Sequence, residues 1–128
     1  MSGIDMVSVE KQSNIYLQQL EVELKYLKEN SQPVYIFGAG RAGWYLLKVL
    51  QHFNIEVTAF IDNDEDKLGF YSDIPVNLTE QLLGENNQAT VFLGLFRPDS
   101  ADRVIGKLKG VGANRLIHLM DAFLFAYY

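Results

Sequence analysis

Hydrophobic positions divide the chain into one helix and then a series of short apolar runs and amphipathic stretches. Leu17, Leu20, Leu24 and Leu27 step by three, four and three, one helical stripe in a segment from about Val9 to Glu29. The stripe suits a short coiled-coil seam or an ordinary amphipathic helix lying on its own domain. Asn30-Ser31-Gln32-Pro33 ends it, because proline disfavours helix in the residue before it. The apolar run Val34-Tyr35-Ile36-Phe37 reads as a strand. A helix is expected from about Arg41 to Phe53, with Ala42, Leu46, Val49, Leu50 and Phe53 on one face. A second strand, Val57 to Ile61, ends at Asp62. From Asp62 to Asn77 the pattern reads mostly as loop. Ile74-Pro75-Val76 is at best a small edge strand, since Pro75 has no N–H for a ladder. A short helix, Leu78 to Leu83, follows with Asn77 as its cap. Thr90 to Leu93 is the third main strand. Its helix, about Ser100 to Lys109, turns Ala101, Val104, Ile105 and Leu108 inward and stops at Gly110. Arg115 to Leu119 is the last strand, and Ala122 to Tyr128 is a closing aromatic segment.

Strands apolar on both faces, alternating with amphipathic helices, imply a parallel sheet covered on both sides. The expected fold is α/β: a small, truncated Rossmann-like parallel sheet of four to five strands, with helices on both faces and an extra N-terminal helix. Residues 1–30 form that helix and residues 31–128 the nucleotide-binding domain.

Composition narrows the function. The 128 residues suit one domain, and 48% apolar with 21% charged is a globular balance. No cysteine is present, which excludes disulfides, thiolate metal sites and cysteine nucleophiles. His52 and His118 are the only histidines, too few for an imidazole-rich metal site. A net charge of −5 opposes a sequence-independent grip on nucleic acid. No apolar run reaches membrane-spanning length, and residues 1–9 carry no basic signal-like region. A soluble cytoplasmic protein, with no metal, nucleic-acid or membrane partner, is expected.

The strongest chemical signal is Gly38-Ala39-Gly40-Arg41-Ala42-Gly43, placed between an apolar strand and an amphipathic helix. Gly38 permits a sharp turn out of the strand. Gly40 leaves room for a phosphate to approach the backbone. Gly43 lets the helix pack closely on the strand. The helix N-terminus offers N–H groups and a partial positive charge. Asp62 stands 19 residues after Gly43, where an acid can bind ribose hydroxyls. The next residues are Asn63, Asp64, Glu65 and Asp66, with Lys67 arriving late, so NAD fits better than NADP. The same loop has a one–three–five spacing of acids with Asp73 at position twelve. Lys67 at position six opposes a calcium loop.

Recognisable catalytic motifs are missing. There is no Tyr-x-x-x-Lys pair, GxSxG elbow, Walker loop or HExxH. His118, with Asp121 nearby, could do acid–base work or be a satisfied residue at a sheet end. His52 is expected to cap carbonyls at the end of its helix. Trp44 and Leu47 read as a second patch on that helix, facing either the N-terminal helix or a partner.

Three segments together, VYIFGAGRAGWYLLKVL, EVTAFIDNDEDKLG and DIPV, resemble the Rossmann-like domain preceding FkbM-type methyltransferase domains. They are also similar to the N-terminal nucleotide-sugar-binding domain of PglD-type sugar acetyltransferases. The ending, Arg115 to Leu124, resembles the close of the FkbM-associated module. The glycine-histidine element of the acetyltransferase group is replaced by Arg41-Ala42, and neither acetyltransferase repeats nor a methyltransferase core follows. The resemblance implies binding positions at Gly38, Gly40, Gly43, Asp62 and Asn63. Ala39, Arg41 and Ala42 complete the loop, and the Gly94-Leu95 turn is expected to line the same crevice. The implied role is an accessory module for NAD or a nucleotide-sugar, associated with methyltransferase or polysaccharide- and sugar-modifying enzymes and not catalytic alone. Two rivals are an NAD-dependent dehydrogenase or sugar-modifying enzyme completed by dimerisation, and a protein-interaction domain with a relic glycine loop.

Phe123, Leu124, Phe125, Tyr127 and Tyr128 crowd the C-terminus. Such a segment is expected to dock on the domain, to sit in a homodimer interface, or to mark a domain boundary in a longer protein. A homodimer using this tail or the N-terminal helix is the expectation.

Overall fold

The computed structural model describes residues 18, 21–95, 98–119 and 125–127. Helix α1 covers residues 21–30. There follow β1 (Val34–Phe37), α2 (Arg41–His52), β2 (Ala59–Asp62), a 3-10 turn (Glu65–Lys67), β3 (Gly69–Tyr71), β4 (Ile74–Leu78), α3 (Thr79–Glu85), β5 (Thr90–Leu93), α4 (Pro98–Gly110), β6 (Arg115–Leu119) and β7 (Phe125–Tyr127).

The strands form one sheet in the order β3-β4-β2-β1-β5-β6-β7. The five inner strands are parallel, and β3 and β7 lie antiparallel on the two edges. The parallel part is the expected Rossmann-like sheet. Its strands, counted along the chain, have the order 3-2-1-4-5 of a doubly wound fold. From β1 the chain winds outward through β2 and β4, then crosses back to β5 on the other side of β1. That reversal opens a crevice beyond the carboxyl ends of β1 and β5.

The segment 62–77 corrects the expectation of a loop. It contains the 3-10 turn, all of β3 and most of β4. Ile74–Leu78 is an inner strand, flanked by β3 and β2. Pro75 is accommodated because its registered partner is Phe70 of β3, whereas the parallel ladder to β2 begins at Val76. Ser72 and Asp73 turn the hairpin with φ of 50° and 64°, the left-handed pair that matches strand twist. Neither is glycine, which is why the turn was silent in the sequence.

Period-two alternation divides the core. Val34, Ile36, Phe60, Phe92 and Ile117 face α2 and the half-buried Leu24 and Leu27 of α1. Tyr35, Ile61, Val91, Leu93 and Leu116 face α3 and α4. Leu24 and Leu27 therefore lie on the chain's own domain, while Leu17 and Leu20 fall outside the described residues. An ion pair fixes α1 at the start of β6. Glu23, fully buried, receives two hydrogen bonds from Arg115, at 2.6 and 3.2 Å. The Tyr26 ring stacks 3.7 Å from the same guanidinium.

Helix ends bring three further corrections. Helix α3 starts one residue later than expected, and Leu78 rather than Asn77 stands at its N-cap, with no side-chain bond. Helix α4 runs through Gly110, and the left-handed residue that stops it is Gly112. The amides of Gly112 and Ala113 bond back to Lys109 and Leu108. Helix α2 ends in the same motif, with left-handed Asn54, and Asn54 and Ile55 bonding to Gln51 and Leu50. Backbone amides take the carbonyls expected for His52, whose ring instead meets Phe53 edge-on. Leu47 is fully buried whereas Trp44 is 37% exposed, so the two do not form a patch.

Candidate functional site

The glycine loop leaves β1 at the carboxyl end of the sheet. Gly38 adopts φ +101°, a conformation that disfavours any side chain, and its N–H donates to Ile61 O at 2.9 Å. At Gly43 a Cβ would lie 2.0 Å from the Gly38 carbonyl oxygen. A Cβ on buried Gly94 would come within 2.8 Å of both Gly43 Cα and Phe37 O. Gly38, Gly43 and Gly94 thus form one backbone-to-backbone junction between α2 and the ends of β1 and β5. Gly94 N–H closes it by donating to Phe37 O at 2.8 Å.

Gly40 is different. Its φ of −129° and ψ of −161° are open to any residue. A Cβ there would meet only the end of a flexible lysine, Lys67 Nζ, at 3.6 Å. Nothing in the fold requires glycine at this position. Gly40 precedes α2, which has no side-chain cap and no acid in its first turn. Among the described residues the N–H groups of Gly40, Arg41 and Ala42 have no protein acceptor. The result is an open backbone cradle on the positive end of a twelve-residue helix.

Asp62 clamps this loop from the end of β2. One carboxylate oxygen accepts from Ala39 N–H at 2.9 Å and the other from Asp64 N–H at 2.9 Å. Asp64 in turn accepts from Asp66 N–H at 3.0 Å. The alternating acids thus cap successive turns, each closing the next. A carboxylate has about four lone-pair sites, so Asp62 keeps acceptor capacity for a ligand. Asn63, beside it, is exposed.

The sequence reading missed two participants, Lys67 and Tyr71, and had His118 as a candidate for a satisfied residue at a sheet end. Lys67 extends from the 3-10 turn to place Nζ 3.5 Å from Ala39 O, above the loop. Tyr71 on β3 donates its hydroxyl to Gly40 O at 3.2 Å. Buried His118 contacts Leu95 O through Nε2 at 2.9 Å. A carbonyl can only accept, so Nε2 carries the proton, and buried Nδ1 has no partner among the described residues. His118 therefore pins the Gly94–Leu95 turn, as a residue at a sheet end, and Asp121 lies outside the described residues. The spacing from Gly69 to Tyr71 could have flagged the tyrosine only if β3 had been foreseen.

The expected positions divide by place. Gly38, Ala39, Gly40, Gly43, Asp62 and Gly94 converge on the loop. The Leu95 side chain packs towards the α3–α4 face. Arg41 is exposed and lines a cavity of about 420 Å³ with Trp44, Tyr45, Tyr71 and Ser72. A larger cavity, about 980 Å³, lies between α1 and the 53–58 turn. It is at the amino end of β1, opposite the side where parallel sheets bind ligands.

No protein-family model and no curated protein matches the chain. Solved structures do share its fold. RSP, a Rex-family repressor, superposes with TM-score 0.56 at 16% identity over 80% of this chain. Its complex with β-NADH gives 0.53 at 15% identity over 92%. A point mutant of perosamine N-acetyltransferase from Caulobacter crescentus, in complex with CoA and GDP-perosamine, gives 0.52 at 20% identity over 63%. The chain spans 53%, 63% and 39% of those three chains. At these identities the likeness establishes a Rossmann-like α/β fold. One relative was captured with a dinucleotide and another with a nucleotide-sugar.

Proposed function

We propose that this chain is an accessory module that binds a nucleoside diphosphate group, carried by NAD or a nucleotide-sugar, and performs no catalysis of its own. Its proposed setting is beside a methyltransferase or an enzyme of polysaccharide or sugar modification. The observation that carries this reading is Gly40. Three glycines of the crevice are required by packing, while the fourth is not and borders free helix N–H groups with Lys67 above. A diphosphate placed there would accept from those amides and meet the lysine charge. Asp62 then serves one ribose hydroxyl while holding the loop. Structures of similar fold in complex with β-NADH and with GDP-perosamine support the ligand class.

Gly40→Val tests the reading directly. The variant is expected to keep the parent's melting temperature and lose all calorimetric binding of NADH and of GDP-sugars. Binding equal to the parent's would overturn the cradle. No thermal shift with any nucleotide in the parent protein would favour an interaction domain with a relic loop. Reduction of NAD with a sugar substrate would favour an enzyme.

A further inference from the structure

Residues Arg41, Trp44 and Tyr45 stand at i, i+3 and i+4 on α2, so they share one helix face. This face turns away from the core, yet it carries two aromatic rings. Trp44 is 37% and Tyr45 55% exposed, with ring centroids 5.4 Å apart, edge to face. Across from them stand Tyr71 and Ser72 of the β3–β4 hairpin. The Tyr71 ring is braced on Phe60, 5.2 Å away, and its hydroxyl is tied to Gly40 O. Ser72 is held by the left-handed turn. Between helix and hairpin lies the cavity of about 420 Å³, within the usual size of a small-molecule site.

We propose that this cavity receives the base of the nucleotide whose diphosphate occupies the glycine loop. The inference rests on that reading of the loop and adds the subsite. Three observations select a base. Three of the five lining residues, Trp44, Tyr45 and Tyr71, are aromatic, and any nucleobase stacks on an aromatic ring; Lys48 Nζ lies 5.4 Å from the Trp44 ring centre. Among the described residues Arg41 has no anionic partner, and its guanidinium can lie on a ring or meet the phosphate. The cavity also adjoins the loop, because Tyr71 bonds Gly40 and Arg41 follows Gly40 in the chain. Stacking depends on the π-face alone, so the pocket accepts purines and pyrimidines alike, and Ser72 supplies its polar edge.

Trp44 is the one tryptophan of the chain, so tryptophan emission reports this cavity. Titrating the full chain with ADP or UDP is expected to quench that emission saturably. Inorganic pyrophosphate is expected to compete with them for the loop without quenching. Trp44→Leu, at a partly exposed position, is expected to keep the melting temperature and weaken ADP about tenfold or more, with pyrophosphate unchanged by calorimetry. If both nucleotides bind without changing the emission and Trp44→Leu equals the parent, the base pocket is overturned and the loop reading stands. Quenching by ADP with no pyrophosphate binding would keep the pocket and reject the cradle. If neither nucleotides nor pyrophosphate bind, both are overturned.

Discussion

At the scale of single residues, the crevice separates glycines that build from a glycine that makes room. Gly43→Ala would press a methyl group against the Gly38 carbonyl oxygen at 2.0 Å, a backbone atom, with Phe60 Cε1 at 3.2 Å on another side. Overpacking of this kind costs about 3 kcal/mol or more, so a large fall in melting temperature is expected. Gly40→Ala should change stability by no more than about 0.5 kcal/mol. Chemical denaturation of the two variants checks the contrast. Asp62 poses a different question because it clamps the loop and is proposed to bind ribose. Asp62→Ala is expected to weaken a ribonucleotide by about 1.5–3 kcal/mol through loss of a charge-assisted bond. A 2′-deoxy ligand should lose less, the remainder being the cost of freeing Ala39 N–H. Equal losses by calorimetry would restrict Asp62 to the clamp.

Among the elements, α1 shows how a polar contact can anchor an apolar helix. Glu23 is completely buried, while Arg115 keeps about one-fifth of its side chain exposed. Removing the arginine takes two charge-assisted hydrogen bonds from a buried carboxylate, which costs about 3–5 kcal/mol. Arg115→Ala is therefore expected to lower stability by that amount in urea melts. Glu23→Leu with Arg115→Leu should recover much of the loss, because it removes both charges of the pair. The elements also differ in how readable they were. Continuous apolar runs such as Val34–Phe37 and Thr90–Leu93 revealed the parallel strands, and the leucine and isoleucine spacing revealed α2 and α4. The glycine loop stood out because its context was local. The β3–β4 hairpin did not, since Pro75 argues against a strand and a Ser72-Asp73 turn carries no glycine. Lys67 and Tyr71 were missed with it, as their approach to Ala39 and Gly40 exists only after the hairpin folds. Glu23 was hidden because its partner lies 92 residues away.

For the whole molecule, the arrangement places every proposed binding group at one end of the sheet and the α1 attachment on one face. Association of two copies is expected to use the α1 face or the C-terminal aromatic segment. Light scattering of the full chain at micromolar concentration checks this, and a monomeric mass would remove the dimer. Where the C-terminal segment is described, Phe125–Tyr127 pairs with Ile117–Leu119, so part of it is docked on its own domain. Those three residues have a counterpart in β3, at the other border of the sheet. An unpaired strand border is a template for further strands, and very short border strands blunt it. Here both borders are three residues long, while the strands behind them, β4 and β6, have five each. The same brevity that makes β3 and β7 easy to overlook makes them stops on open-ended polymerisation. A chain ending at Asp121 would bare β6 along its length. It should remain folded at first and then scatter light increasingly with time, and thioflavin fluorescence should rise in step.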